Sequence, residues 1–341
     1  MSSPLQCTVP PIPPNPTFIL SNPSGDLDST ISSYSLSSLI PNSVPVLNYR
    51  STDVKLKPDS LKALELHPID KHPLYVDDFF RYCEVESEFN IILVDHNSLS
   101  FTSPHSPSLY SKMSSRVIKI IDHHSPSNSH SHADIYLEGV ASCCTLIYRK
   151  DMENVYKILV AITILVDSNF LSPTSGKTTE KDISVITSII EDLGPQYQEI
   201  IYRHAKEVND AKFSTEFWKG LTKKEASRID YKEMKVEGVV VGVASVLVEL
   251  ESYKGGEEEE VEVDCLIIGS CVINGEEVVR ELEVVEGKNK EVSEKVREWL
   301  DSGGGLLQTR RKEGDDLIWR QENAKGSRKV LMPELEKIFK D

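Results

Sequence analysis

The sequence predicts an α/β protein in which a doubly wound, mainly parallel sheet forms the N-terminal domain and a smaller α/β domain follows it. Apolar, β-branched runs alternate with helical segments through the first half, a rhythm typical of βαβ units. The second half is richer in strand-forming residues. A chain of 341 residues also exceeds what one hydrophobic core usually serves, so we expect two domains.

Short apolar runs predict four strands of the first domain, at 17–21, 44–48, 89–95 and 116–122. Near-continuous apolar runs are typical of strands that are buried on both faces, as in a parallel sheet covered by helices. Residues 141–150 and 153–166 have the spacing and length of helices. Together these segments indicate the βαβ connections of a doubly wound sheet.

The remaining segments set the predicted domain boundaries. Residues 178–208 look helical with a break at Gly194-Pro195, and 291–300 predicts an amphipathic helix. The runs 235–250 and 261–273 predict strands, and the acidic run 257–260 predicts a solvated loop. We expect a flexible leader at 1–15, the first domain at 16–195, a helical linker at 196–212 and the second domain at 213–341.

Composition narrows the functional class. The net charge of −16 disfavours a general nucleic-acid binder, which would normally carry a basic face. No apolar run approaches the roughly 18 residues of a membrane span, and the N-terminal residues lack signal-peptide and transit-peptide features. The six cysteines form no CxxC pair, which argues against a zinc ribbon or a disulfide framework. We therefore expect a cytoplasmic protein with reduced thiols.

Acidic residues accumulate where predicted elements end, and they suggest a metal site. The candidate ligand set is Asp26, Asp28, Asp95, His123, His124 and Asp167. In open α/β sheets, ligands bind beyond the carboxyl ends of the strands. Carboxylates with one or two imidazoles suit Mg²⁺, Mn²⁺ or Co²⁺, and two such ions about 3.5–4 Å apart can activate a water and bind phosphoryl oxygens. Taken singly, Asp26 could be a helix N-cap, Asp95 a turn residue and His123 a surface residue.

Four segments resemble, in order, the four motifs of the DHH phosphoesterase superfamily. They are NPSGDLDS at 22–29, LVDHN at 93–97, IIDHH at 120–124 and LVDSN at 165–169. In the second half, GSRK at 326–329 is similar to the Ser-Arg-Lys signature of the DHHA2 domain, and IDYK at 229–232 resembles an earlier segment of that domain. DHHA2 domains occur in manganese-type inorganic pyrophosphatases, exopolyphosphatases and prune-like proteins.

The resemblance implies a role for each candidate residue. The implied metal ligands are Asp26, Asp28, Asp95, His123 and Asp167. Asp28 and Asp95 are candidates to bridge two ions, and Asp95, His123 and His124 are the implied catalytic group. His124 would contact the transferred phosphate or the leaving oxygen, and Asp122 would orient the imidazoles. Asn22, His96 and Asn97 would shape the site.

Substrate binding is implied for the basic residues of the second domain, which would close over the first. Lys232, Arg328 and Lys329, with His124, would hold the phosphates, Arg as a bidentate fork and Lys as a point charge. His130 and His132 either lie near the metals or belong to a plain polar loop.

Two features discriminate within the family. Pyrophosphatases of this type carry a metal-ligating His where Asn22 stands, and prune-like proteins commonly alter the third motif, which is intact here as Asp122-His123-His124. The combination favours an exopolyphosphatase. We further expect a monomer that uses two divalent cations, Mg²⁺ or Mn²⁺ with Co²⁺ also compatible, to activate a water. The expected substrates are inorganic polyphosphate and short phosphoanhydrides.

Three alternatives stay open. The first is an inorganic pyrophosphatase. The second is a nucleotide phosphodiesterase, although these enzymes usually carry a Gly-Gly-Gly-His element and Gly303-Gly304-Gly305 is followed by Leu306. The third is a non-catalytic interaction protein on a prune-like scaffold.

Overall fold

In the computed structural model, the first half of the chain is built on a six-stranded sheet whose neighbouring strands are all parallel. The strands are β1 (Thr17–Leu20), β2 (Ser43–Leu47), β3 (Leu74–Tyr75), β4 (Asn90–Val94), β5 (Val117–Asp122) and β6 (Asp134–Leu137). Their order in the sheet is β3-β2-β1-β4-β5-β6. Because the order reverses between β1 and β4, a crevice for ligands is expected beyond the carboxyl ends of these two strands.

The structure describes residues 11–101, 105–126, 130–173, 176–252, 261–274, 277–312 and 315–340. The chain divides into two compact units, Met1–Lys212 and Phe213–Asp341. Residues 1–10 of the predicted leader and the predicted acidic loop 257–260 lie outside the described residues.

Helices cover both faces of the parallel sheet. They are α1 (Leu27–Leu39), α2 (Pro58–Leu66), α3 (Val76–Val85), α4 (Pro107–Ser114), α5 (Cys143–Ile147), α6 (Asn154–Asp167), α7 (Glu180–Leu193) and α8 (Gln196–Lys212). Successive β1 side chains enter different cores: Phe18 and Leu20 pack in one cluster, and Ile19 packs in the other. This alternation explains the continuous apolar run, and the predicted fold class is confirmed.

The prediction that residues 196–212 link the two domains needs a correction. Residues 196–212 form α8, which belongs to the first unit and packs on α2 and α6. Its Ile201, Ala205 and Val208 are fully buried in the core that contains Ile19. Because these three residues share one helical face, α8 buries an apolar stripe in the first unit, which a free linker would leave exposed.

The second unit contains a mixed six-stranded sheet. Its strands are β7 (Tyr231–Val236), β8 (Val239–Val246), β9 (Cys265–Asn274), β10 (Glu277–Glu286), β11 (Thr309–Lys312) and β12 (Asp315–Gln321), in the order β11-β12-β10-β9-β8-β7. Only β8 and β9 are parallel among the described pairs. The helices are α9 (Thr215–Lys219), α10 (Lys223–Ser227), α11 (Lys290–Asp301) and α12 (Arg328–Lys340). Buried Val296 and Leu300 of α11 and Leu335 of α12 belong to the core of this sheet.

No helix within the described ranges has both the length and the apolar character needed to span a bilayer.

A histidine pair joins the residue that follows α2 to α8. His67 Nε2 and His204 Nδ1 lie 2.8 Å apart. Burial, with His204 beside it, lowers the pKa of His67 to about 4, and burial also lowers the pKa of His204. Lys62 and Arg203 act in the same direction on His204, whereas Glu207 opposes them. Both imidazoles are therefore neutral at pH 7.

Acidification should destabilise the first unit through this pair. Between pH 6.5 and about 4 the unfolded state binds protons that the folded imidazoles resist, so stability falls as the pH falls through this range. Thermal unfolding followed by circular dichroism should show a smaller fall in Tm for the double variant His67→Gln/His204→Gln than for wild type. Exposed His72→Gln is the matched control. Equal slopes for the double variant and wild type would contradict the assignment.

Candidate metal centre

The loop between β1 and α1 is shaped by Asn22 and Gly25. Asn22 Oδ1 accepts hydrogen bonds from Gly25 N at 2.9 Å and Ser24 Oγ at 2.7 Å. Gly25 has φ +55°, and a Cβ there would lie 2.2 Å from Cδ1 of Tyr49. Only glycine fits this turn, because both the backbone conformation and the space exclude a side chain. The turn aims the following acidic residues across the end of the sheet.

Asp26 is the N-cap of α1, and this structural role is compatible with its predicted role as a metal ligand. Its Oδ1 accepts from Ser29 N at 3.0 Å, and its Oδ2 accepts from Ser24 Oγ at 2.7 Å. Burial opposes ionisation of Asp26, but these hydrogen bonds outweigh it and hold its pKa below the ordinary value. Asp26 is therefore an ionised carboxylate at pH 7.

Asp28 lies in the first turn of α1 and faces the start of α5. Its Oδ1 accepts from Ser142 Oγ at 2.6 Å, Cys144 N at 3.1 Å and Ser32 Oγ at 3.4 Å, and its Oδ2 accepts from Cys143 N at 2.6 Å. Burial raises the pKa of Asp28, while nearby His123 and the hydrogen bond from Ser142 act against that rise. The carboxylate is thus fixed by several donors.

Asp95 directly follows β4 and has φ +62°, a left-handed conformation that Asp tolerates better than most residues. Its Oδ2 accepts from Asn22 Nδ2 at 2.7 Å, and its Oδ1 lies 3.1 Å from His123 Nε2. Burial raises the pKa of Asp95 well above its ordinary value, and the charges of Asp28, Asp26, Asp167 and Asp122 add to the rise. A group held in this way gains most from a neighbouring cation.

The Asp122-His123-His124 segment begins at the last residue of β5. Asp122 orients the two histidines that follow it. Asp122 Oδ1 accepts from His123 N and from His124 Nδ1, each at 2.8 Å, and Asp122 Oδ2 accepts from Asn97 Nδ2 at 2.5 Å. His123 Nδ1 lies 2.8 Å from Val140 O. A carbonyl can only accept, so Nδ1 of His123 carries a proton, and Nε2 is the ring nitrogen that faces the carboxylates of Asp95 and Asp28.

Asp167 ends α6, and its Oδ2 is buried without a hydrogen bond from any described residue. Burial raises its pKa well above the ordinary value, and the charges of Asp28 and Asp26 add to this, whereas Lys212 opposes it. The Oδ1 of Asp95 is likewise buried and accepts no hydrogen bond within the described ranges. Two buried carboxylate oxygens without donors are the pattern that a bound cation would satisfy.

The donor set fits a divalent cation. Asp95, Asp122, His123 and His124 each offer one ligand atom, and these four atoms lie within 4.8 Å of one another. Asp28 borders this group, because its Oδ2 lies 3.6 Å from His123 Nε2. Carboxylate oxygens with imidazole nitrogens suit Mg²⁺ or Mn²⁺ chemistry.

Comparison with known proteins identifies a family that matches part of the chain. Residues 16–165 match the family described as DHH family, N-terminal domain. This segment is therefore similar to a DHH-family domain, and it is called the DHH domain below. The human protein Exopolyphosphatase PRUNE1 is 26% identical over 255 residues, which are 69% of this chain and 53% of that protein. The chain thus spans about half the length of this curated relative.

A solved structure supports the fold. The Methanococcus jannaschii protein assigned to the family II inorganic pyrophosphatases superposes with a TM-score of 0.57 at 19% identity. The match covers 95% of this chain and 100% of that one. At this level of identity the likeness concerns the fold alone.

Three further predicted residues of the DHH domain, His96, Asn97 and His130, have identifiable hydrogen-bond partners. His96 Nδ1 lies 2.9 Å from Val94 O, and burial lowers the pKa of His96 to about 4. Asn97 joins Asp122 to the carbonyl of Ser125, at 3.0 Å. His130 is buried, and its Nε2 accepts from Leu99 N at 3.2 Å.

His130 and His132 do not belong to the converging ligand group found within the described ranges. His132 is exposed, with its ring 5.9 Å from that of His130. Residues 127–129 of their loop lie outside the described residues.

In the second unit, two of the predicted phosphate-binding segments come together. Arg328 begins α12, and its Nη2 lies 2.8 Å from Asp230 Oδ1 while its Nη1 donates to Asp230 O at 3.0 Å. Lys232 is exposed on β7, two residues after Asp230. Lys329 lies in the first turn of α12.

Sequence reasoning missed the donors that hold the carboxylates, Ser24, Ser142 and the amides of Cys143 and Cys144. The signal for Ser142 was present, because a serine at the start of a predicted helix is a preferred N-cap. Nothing in the sequence linked that cap to Asp28, which is 114 residues away.

Asp95→Asn should stabilise the metal-free protein and abolish its response to divalent cations. An ionised group whose folded pKa is raised destabilises the fold at pH 7, and Asn tolerates the left-handed backbone. In EDTA, Tm should rise by ~2–4 °C, the shift that about 1 kcal/mol produces in a unit of this size. Added Mn²⁺ should raise Tm for wild type and for the exposed control Asp134→Asn only. An Mn²⁺ response retained by Asp95→Asn would contradict the site.

Proposed function

We propose that this chain is an exopolyphosphatase, which hydrolyses the terminal phosphoanhydride bonds of inorganic polyphosphate and releases orthophosphate with the help of two divalent cations. The convergence of Asp95, Asp122, His123 and His124 at the carboxyl ends of β4 and β5 carries this proposal. The unengaged buried oxygens of Asp95 and Asp167 support it. Such a site suits a reaction that depends on neutralising phosphate charge.

The chemistry divides between the cations and the protein. When bound, divalent cations neutralise phosphoryl oxygens and lower the pKa of water. Asp26, Asp28, Asp95, Asp167 and His123 would hold them.

His124 would act directly on the substrate. Its hydrogen bond to Asp122 raises the pKa of His124, and 58% of its side chain is exposed. A cationic imidazole in this position can hydrogen-bond a phosphate oxygen and give a proton to the leaving phosphate.

Asn22 favours polyphosphate over pyrophosphate as the substrate. The Asn22 amide donates to Asp95, and its Oδ1 is already engaged by Ser24 and Gly25. Asn22 therefore orients a carboxylate and adds no ligand, unlike the ligating His that the pyrophosphatase pattern implies. The human relative that carries the name exopolyphosphatase points to the same substrate.

Basic residues of the second unit would bind substrate phosphates. We assign this role to Lys232, Arg328 and Lys329. A net charge of −16 makes local cations necessary for a polyanionic substrate. Binding should therefore weaken when either the divalent cations or these side chains are removed.

A substrate panel tests the proposed activity. Orthophosphate release should be measured on pyrophosphate, tripolyphosphate and long polyphosphate, with cyclic AMP hydrolysis measured alongside, in Mg²⁺, Mn²⁺ and Co²⁺. We expect turnover of polyphosphate to exceed that of pyrophosphate, and we expect none in His123→Ala or Asp95→Ala. Preference for pyrophosphate would instead identify a pyrophosphatase, preference for cyclic AMP a phosphodiesterase, and no turnover an interaction protein.

Arg328→Ala should raise KM for polyphosphate by about 10-fold or more, because a charged hydrogen bond contributes ~1.5–3 kcal/mol. Divalent cation binding by the DHH domain should not change. The matched control is Arg310→Ala, since Arg310 forms a surface ion pair with Glu322 at 3.2 Å in the same unit. Steady-state kinetics should leave the control near wild type. An unchanged KM in a folded Arg328→Ala protein would remove Arg328 from the substrate site.

A further inference from the structure

Ser142 is a buried residue outside the four motifs that nevertheless contacts the centre. It is the N-cap of α5 and has no exposed surface. Its Oγ donates to Asp28 Oδ1 at 2.6 Å and accepts from Cys144 N at 3.3 Å. One hydroxyl therefore connects the start of α5 to the carboxylate of Asp28, which lies 114 residues earlier in the chain.

This hydroxyl completes the set of donors that fixes Asp28. Cys143 N reaches the other oxygen, Oδ2, at 2.6 Å. A carboxylate whose two oxygens both accept hydrogen bonds cannot rotate freely. Oδ2 keeps its second lone-pair direction on the side of His123 Nε2, which lies 3.6 Å away. The donors thus fix the Asp28 carboxylate and leave one side of its Oδ2 facing the candidate metal centre.

The Ser142 hydroxyl can donate only one hydrogen bond. The 2.6 Å distance assigns the proton to Asp28. Ser142 is therefore placed to fix the orientation of the Asp28 carboxylate.

We propose that Ser142 is a positioning residue of the metal centre, which holds the Asp28 carboxylate in the orientation that binds a divalent cation. The proposal rests on the metal-dependent function proposed above. Ser142 would touch neither the cation nor the substrate. Partners that orient metal ligands typically contribute about 10- to 100-fold in metal affinity or activity.

The test is isothermal titration calorimetry, in which Mn²⁺ is added to the full-length, metal-free protein. Ser142→Ala and Ser142→Gly both delete the hydroxyl, and Gly is tolerated at an N-cap with a loss of only a few tenths of a kcal/mol. Ser142→Thr retains the hydroxyl. Ser33→Ala is the matched control, because Ser33 is an equally buried serine whose Oγ donates to Ile19 O at 2.6 Å away from the centre.

We expect Ala and Gly at position 142 to weaken Mn²⁺ binding by about 10-fold or more, while Ser142→Thr and Ser33→Ala bind as wild type does. In activity assays, the Mn²⁺ concentration for half-maximal rate should rise in the first two variants, with kcat recovering at saturating Mn²⁺. A purely structural role would lower Tm without moving this concentration. Wild-type affinity in folded Ser142→Gly, or a loss in Ser142→Thr equal to that in Ser142→Ala, would overturn the proposal.

The two proposals fail separately. Wild-type protein that binds Mn²⁺ but cleaves none of the phosphoanhydrides would refute the exopolyphosphatase assignment, and the binding data would still decide the role of Ser142. Wild-type protein that binds no divalent cation would overturn both.

Discussion

The main constraint on the DHH domain is the cluster of buried acidic side chains at one edge of its sheet. Asp28, Asp95 and Asp167 all have raised pKa values, because burial and mutual repulsion disfavour their ionised forms. Like charges in a poorly solvated site repel strongly, so the folded chain tolerates them only with compensation. Part of that compensation is visible as hydrogen bonds from Asn22 to Asp95, and from Ser142 and two backbone amides to Asp28. The rest is the role that we assign to divalent cations.

The topology of the sheet brings these charges together. The strand order reverses between β1 and β4. The segments that follow these strands carry Asp26 and Asp28, at the start of α1, and Asp95, directly after β4. Asp122 ends β5, the next strand, and Asp167 ends α6. Each residue also has a local task, such as the N-cap at Asp26 or the left-handed turn at Asp95. Local structure and the site therefore use the same side chains, which explains why each position alone gave an ambiguous signal.

Much of the fold was predictable, because buried parallel strands leave a distinctive sequence pattern. Short edge strands such as Leu74–Tyr75 leave almost none, since two residues cannot show periodicity. The error at 196–212 was avoidable, because Ile201, Ala205 and Val208 follow helical spacing and mark a buried face. In the site, the ligand types were readable from the motifs. The direction of the Asn22 amide and the contact between Ser142 and Asp28 were not, because both depend on how distant segments pack.

The number of divalent cations that the metal-free protein binds tests the central claim most directly. Equilibrium titration with Mn²⁺, measured by calorimetry and checked by metal analysis after gel filtration, should show two saturable sites. Binding should release protons near neutral pH, because carboxyls with raised pKa values ionise fully when a cation arrives. Absence of saturable binding would contradict the account, since the buried carboxylates would then lack the partner that their arrangement requires.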